Sequence, residues 1–65
     1  MKFGINCRLF RERMGISQSE LADKVGVRPP MINFIENGTK IPSLALSIRI
    51  ADVLGVSLDS LCGRG

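Results

Sequence analysis

The sequence predicts an all-α fold, a compact bundle of four or five short helices, and three observations carry that prediction. Glycine and proline punctuate the chain at helix-length intervals: Gly15, Gly26, Gly38 and Gly55 close successive stretches, and Pro29, Pro30 and Pro42 stand near segment starts. Between these marks the apolar residues recur at spacings of three and four, the period of a helix with one buried face. No segment shows the sustained apolar–polar alternation between turn signals that marks a strand.

The first helix runs toward Gly15, with Phe3, Cys7, Phe10 and Met14 expected on its inner face and Arg11 flanking it. Ser17-Gln18-Ser19-Glu20 opens the second helix as a capping box, in which the Ser17 hydroxyl accepts from the Glu20 amide and the Glu20 carboxylate reaches back to Ser17. That helix is expected from Gln18 to about Val25, burying Leu21, Ala22 and Val25 before Gly26 closes it in a left-handed turn. The third helix is unusual, because Arg28 is a poor N-cap and two prolines follow it. Their missing amides cost little at a helix start, but Pro30 disfavours helical geometry at Pro29, so the helix is expected to begin at Pro30. Ile32 and Ile35 then face inward, Met31 lies at the boundary, and Pro29, Pro30, Asn33 and Phe34 face outward before Asn37-Gly38 ends the helix.

Ser43 caps a fourth helix running through Leu44 to about Leu54, with Leu44, Ser47, Ile48, Ala51 and Leu54 expected in the core. Ser57 caps a last turn or two, with Asp59 in the favourable first turn and Leu58 and Leu61 turned inward, and Gly63-Arg64-Gly65 are expected to fray. A second apolar set lies off these stripes: Ile5 and Leu9 on the first helix, and Leu46, Ile50 and Val53 on the fourth. The last helix can absorb part of it, Ile50 above all. The set also predicts a homodimer seam, placed at Leu46, Ile50 and Val53.

At 65 residues the chain predicts one domain, 1–65, with a core small enough to leave stability marginal. A hydrophobic content of 45% with 23% charged residues is that of a folded chain. Histidine is absent, which removes the commonest general base and a favourite metal ligand. Glu12, Glu20, Asp23, Glu36, Asp52 and Asp59 fit caps, ion pairs and solvated helix faces, so no catalytic residue, cofactor or metal is expected. Cys7 and Cys62 show neither a zinc pattern nor a disulfide framework. They read as two thiols in a reducing cytosol, or as a disulfide joining the chain ends if the first and last helices pack together. Asn6, Arg8 and Arg11 interrupt the N-terminal segment before a signal-peptide core can form, and no membrane-length apolar run follows, so a cytoplasmic protein is expected. Residues 1–42 hold seven basic and four acidic groups and carry the whole net charge of +3, which points any anionic partner to the first two thirds.

Ala22, Gly26, Ile32 and Ile35 stand at the spacing of a helix-turn-helix, with a small residue at the crossing, a glycine in the turn and branched side chains filling the wedge. The same spacing also fits an αα-corner without a ligand. The segments RLFRERMGISQSELADKVGV, INFIENGTKIPSL and VLGVSLDSL resemble the phage-repressor and Cro-type helix-turn-helix family, often called XRE-like, from about Phe3 to Leu61. The resemblance implies a lambda-repressor-like domain of five helices with its helix-turn-helix at the second and third. It also implies a transcriptional regulator that binds double-stranded DNA, usually as a dimer. Separately, 65 residues leave no room for a ligand domain, so no small-molecule ligand is expected.

By that resemblance Gln18 matches the position that contacts the DNA backbone and sometimes a base edge, and Ser17 adds a phosphate contact to its capping role. Asn37, Thr39 and Lys40 match a loop that grips the backbone with amides and a basic side chain, while Arg28 reaches either phosphate or guanine. Arg11 and Glu36 match an ion pair that locks the recognition helix in place. Bases are read in this family by the outward residues of the third helix, here Pro29, Pro30, Asn33 and Phe34. The prolines offer no side-chain hydrogen bonds, Asn33 is expected to pair with adenine, and Phe34 or a proline ring to pack on thymine methyls, which predicts an A/T-dependent element. The resulting expectation is a repressor on a two-fold-symmetric operator. Its alternative is a protein-interaction module on the same fold, antitoxin-like or a co-regulator, using the apolar face around Phe34 and Met31.

Overall fold

Five helices follow one another in the computed structural model, which describes residues 2–63: α1 (Phe3–Met14), α2 (Gln18–Val25), α3 (Pro29–Glu36), α4 (Leu44–Leu54) and α5 (Leu58–Cys62). Three of them start where a serine satisfies an otherwise orphaned amide. Ser17, Ser43 and Ser57 accept from the amides of Glu20, Leu46 and Ser60 at 3.0, 3.2 and 3.0 Å. At Ser17 the box is complete, because its own amide donates to Glu20 Oε1 at 2.9 Å, and these bonds hold the Glu20 carboxyl below its usual range. Gly26 closes α2 with φ 80°, and the Val27 amide returns to the Ala22 carbonyl at 3.0 Å.

α3 begins one residue earlier than expected, with Pro29 and Pro30 as its first two positions. No hydrogen bond is lost there, since amides at those positions have no partner inside the helix, and the Met31 amide closes the first turn on the Arg28 carbonyl at 3.0 Å. Burial of Ile32 and Ile35 sets the helix axis and overrides the conformational preference of the residue before Pro30. Asn37 continues right-handed at φ −88°, and Gly38 makes the reversal at φ 83°.

The core draws on every helix: Phe3 and Cys7 from α1, Leu21, Ala22 and Val25 from α2, Ile32 and Ile35 from α3, Leu46, Ile50, Ala51 and Leu54 from α4, and Leu61 from α5. Two faces differ from expectation. On α1 the buried set is Phe3, Gly4, Cys7 and Arg11, while Phe10 is only partly buried and Met14 is 48% exposed. Arg11 turns inward because a carboxylate meets it there, and Gly4 turns inward because α1 runs against the end of α3. A Cβ on Gly4 would collide with the carbonyl oxygens of Ile35 and Glu36.

On α4 the buried stripe is Leu46, Ser47, Ile50, Ala51 and Leu54, whereas Leu44 and Ile48 are 70% and 44% exposed. The expected homodimer seam is thereby corrected: Leu46 and Ile50 fill the core, Ile50 without any exposed surface, and Val53 is half-buried against it. α4 is apolar on two adjacent stripes, and the one that docks on α2 and α5 is the one that Ser47 can join by donating its hydroxyl to the Ser43 carbonyl at 2.8 Å.

α1 and α5 pack together, joined by the Asn6 amide, which donates to the Ser60 and Leu61 carbonyls at 3.3 and 3.0 Å. Cys7 and Cys62 are nevertheless free thiols. Gly63 ends α5 in the left-handed conformation, and Arg64 and Gly65 lie outside the described residues. Among the described residues, no helix is long and apolar enough to cross a membrane.

Candidate nucleic-acid interface

α2 and α3 meet across the Gly26 turn, where Ala22 and Ile32 are fully buried and let the two helices cross closely. With Ile32 and Ile35 turned inward, positions 29, 30, 33 and 34 form one outward face. Pro29, Pro30, Asn33 and Phe34 are all exposed, as expected, and so is Arg28 at the head of the helix. Pro29 forces Arg28 into extended backbone (φ −80°, ψ 148°), and the Arg28 side chain takes no part in capping. Among the described residues its guanidinium, exposed beside the start of α3, has no hydrogen-bond or ion-pair partner.

The other end of α3 is organised by Glu36. Arg11 reaches it through Nε to Oε2 at 2.7 Å and Nη2 to Oε1 at 3.0 Å, a two-pronged pair buried between α1 and α3. The third guanidinium nitrogen, Nη1, donates to the Ile16 carbonyl at 2.8 Å, in the turn before α2. The bond to Glu36 raises the Arg11 pKa still further. Oε1 of Glu36 also accepts from Gln18 Nε2 at 3.0 Å, and the Cys7 thiol donates to Oε2 at 3.7 Å. Burial, followed by the neighbouring Glu36 charge, pushes the Cys7 thiol up to about 12, so it stays protonated and unreactive.

The Gln18 side chain is engaged within the protein. Its amide nitrogen faces into the protein, bonded to Glu36 and, at 3.4 Å, to Asn33 Oδ1, and the side chain is half-buried. The main-chain amides at Gln18 and Ser19 are the α2 donors that remain for an outside acceptor.

The loop after α3 also departs from expectation. The amides of Asn37, Gly38, Thr39 and Lys40 all fold back onto α3: they donate to Asn33, Ile35, Phe34 and Phe34 carbonyls at 3.0, 3.2, 2.9 and 3.1 Å. Asn37 Oδ1 accepts from the Thr39 amide as well, at 2.9 Å. Only side chains in this loop are left to face a ligand, namely the Asn37 amide nitrogen, the Thr39 hydroxyl and the Lys40 ammonium. Lys40 lies over the Phe34 ring at 5.7 Å, which couples the loop's cation to the outward face of α3.

The structure thus brings Gln18 to Asn33, and Lys40 to Phe34, and ties Ser17 to Glu20 and Asn37 to Thr39, with Arg28 unattached among the described residues. Sequence patterning missed the Glu36 hub. A buried carboxylate on a short helix carries no periodic signal, and only the Arg11–Glu36 match hinted at it.

The helix-turn-helix family profile (HTH_3) matches residues 8–61. An HTH-type transcriptional regulator of Archaeoglobus fulgidus, itself uncharacterized, is 46% identical over 54 residues, covering 83% of this chain and 77% of that protein. The transcriptional repressor RstR of the cryptic phage CTXphi in Vibrio cholerae is 36% identical over 59 residues, covering 88% of this chain and 53% of the repressor, so the chain spans about half of that relative. YazB, an uncharacterized HTH-type transcriptional regulator of Bacillus subtilis, is 36% identical over 59 residues, 91% of this chain and 86% of its own. No solved structure matches the chain.

Proposed function

The chain belongs to the XRE-type helix-turn-helix family of transcriptional regulators, and on that basis we propose that it is a repressor that occupies a two-fold-symmetric operator as a homodimer, with α3 in the major groove. The observation that carries this reading is the presentation of α3, whose outward face of Pro29, Pro30, Asn33 and Phe34 is backed by Ile32, Ile35 and the Glu36 network. A rigid, projecting helix is what insertion into a groove about 12 Å wide requires.

In this reading Arg28 reaches guanine or phosphate, Asn33 meets a base edge, and Phe34 and the proline rings pack on thymine methyls. Backbone contacts come from the Gln18 and Ser19 amides, the Ser17 hydroxyl and the side chains of Asn37, Thr39 and Lys40. Repression by occupancy is supported by the name of the RstR relative. A second copy would find its apolar contact surface at Ile41, Leu44 and Ile48 rather than at the residues expected from the sequence, the last two being one turn apart on α4 and all three exposed.

Selection of bound sites from a random duplex pool, with the purified chain at near-physiological salt, tests the proposal. The expected motif is two-fold symmetric, A/T-bearing, with half-sites about one helical turn apart. Lys40→Ala should reduce the slope of log affinity against log salt by about one. Weak, salt-sensitive binding without any motif would instead favour a protein partner for the Phe34 face.

A further inference from the structure

We infer that Gln18 is a positioning residue that sets the polarity of Asn33, turning the Asn33 side chain so that its NH2 group faces the groove and selects guanine over adenine. The inference rests on the DNA-binding reading above. It follows from a chain of hydrogen bonds in which each partner dictates the next.

Glu36, held by Arg11 through Nε at 2.7 Å and Nη2 at 3.0 Å, is a carboxylate that can only accept. The end of Gln18 that meets Glu36 Oε1 at 3.0 Å is therefore its NH2 group. That same nitrogen meets Asn33 at 3.4 Å, and a group facing a donor must offer its acceptor, so Oδ1 of Asn33 points back toward α2. The Asn33 NH2 group is what remains at the exposed edge of α3. The usual pairing of asparagine with adenine needs Oδ1 and Nδ2 side by side toward the base, Oδ1 taking the adenine amino group. Here Oδ1 is drawn aside, so the adenine amino group meets no acceptor and N7 is the one adenine atom left to accept from Asn33. Guanine presents two adjacent acceptors, N7 and O6, to the two hydrogens of Asn33. The adenine expectation from the sequence is thereby replaced. The signal originates at Arg11, three side chains away on α1.

The test measures binding of the full chain to its selected operator and to duplexes in which each guanine is replaced singly by adenine or by 7-deazaguanine, which lacks the N7 acceptor. One guanine per half-site is expected at which both replacements weaken binding, adenine by roughly tenfold, and at which Asn33→Ala abolishes the preference. Gln18→Met keeps the side-chain length without the amide, and should bring the guanine-to-adenine ratio at that base to within about twofold while preserving preferences elsewhere. If Gln18 served the DNA backbone alone, Gln18→Met would weaken all duplexes equally and leave the ratio intact, which overturns the inference. Adenine preferred at the base where Asn33→Ala acts overturns it too, with the native chain and one exposed substitution sufficing. A chain that selects no operator refutes the underlying DNA-binding reading and this inference with it, an outcome distinct from an operator read as adenine.

Discussion

The two ends of α3 are held by opposite means. At its start, Pro29 and Pro30 restrict the backbone covalently and Arg28 is pinned in extended geometry, without a side-chain cap. At its finish, Glu36 gathers Arg11, Gln18 and Cys7 around one carboxylate, with Gly4 allowing α1 to lie against the same turn. The first device acts by narrowing what the unfolded chain can do, so it works in any surroundings. The second depends on partners from other helices and on their ionisation. Between these two anchors lies the exposed middle of α3, where Asn33 accepts from Gln18 and Lys40 lies over the Phe34 ring.

The contrast should appear first in Arg11→Ala. Removing one partner of a buried pair leaves Glu36 desolvated and unpaired, at a cost of about 3–5 kcal/mol, a large share of the stability of a small domain. Urea unfolding should show that loss, and Arg11→Met combined with Glu36→Leu should restore most of it, since two apolar groups leave no orphaned charge. A loss below about 1 kcal/mol for Arg11→Ala would mean the pair behaves as a surface contact.

Next comes alkaline pH. The Cys7 thiol, ordinarily near 9.0, is raised to about 12 in the fold, so below about 9 both folded and unfolded chains keep its proton and it contributes no slope. Between about 9 and 12 the unfolded chain releases the proton while the folded one retains it, and stability falls by about 1.4 kcal/mol per pH unit. Comparing the native chain with Cys7→Ala from pH 8.5 upward isolates this component; parallel curves would refute it. The smallest effect belongs to the proline end. Pro29→Ala should lower stability by only about 0.4–1 kcal/mol, equally at every pH, because it acts through the unfolded chain.

The same division governs how much was legible in the sequence. Capping serines, the Gly26 turn and the outward face of α3 are local, each set by a few neighbouring residues, and they stand where Ser17, Ser43, Ser57 and Gly26 place them. The buried faces of α1 and α4 required a choice between competing stripes. Apolar patterning favoured Met14 over Arg11, yet Arg11 is inside because Glu36, far along the chain, neutralises it. On α4, Leu44 with Ile48 and Leu46 with Ile50 are equally apolar, and only docking against other helices decides between them. The candidate site divides likewise. Its outward residues were visible from their spacing, whereas the inward turn of the Gln18 amide and the engaged loop amides arise from contacts between elements.

The reach of the Arg11 side chain bears on how such a module can be inherited. Its guanidinium grips α3 at Glu36 and, at 2.8 Å through Nη1, the Ile16 carbonyl ahead of α2. The helix-turn-helix is therefore not a detachable cassette. Moved into another scaffold without α1, it would carry under α3 a carboxylate stripped of its guanidinium partner, so a recombination that transfers the helix-turn-helix intact must carry the first three helices as one block.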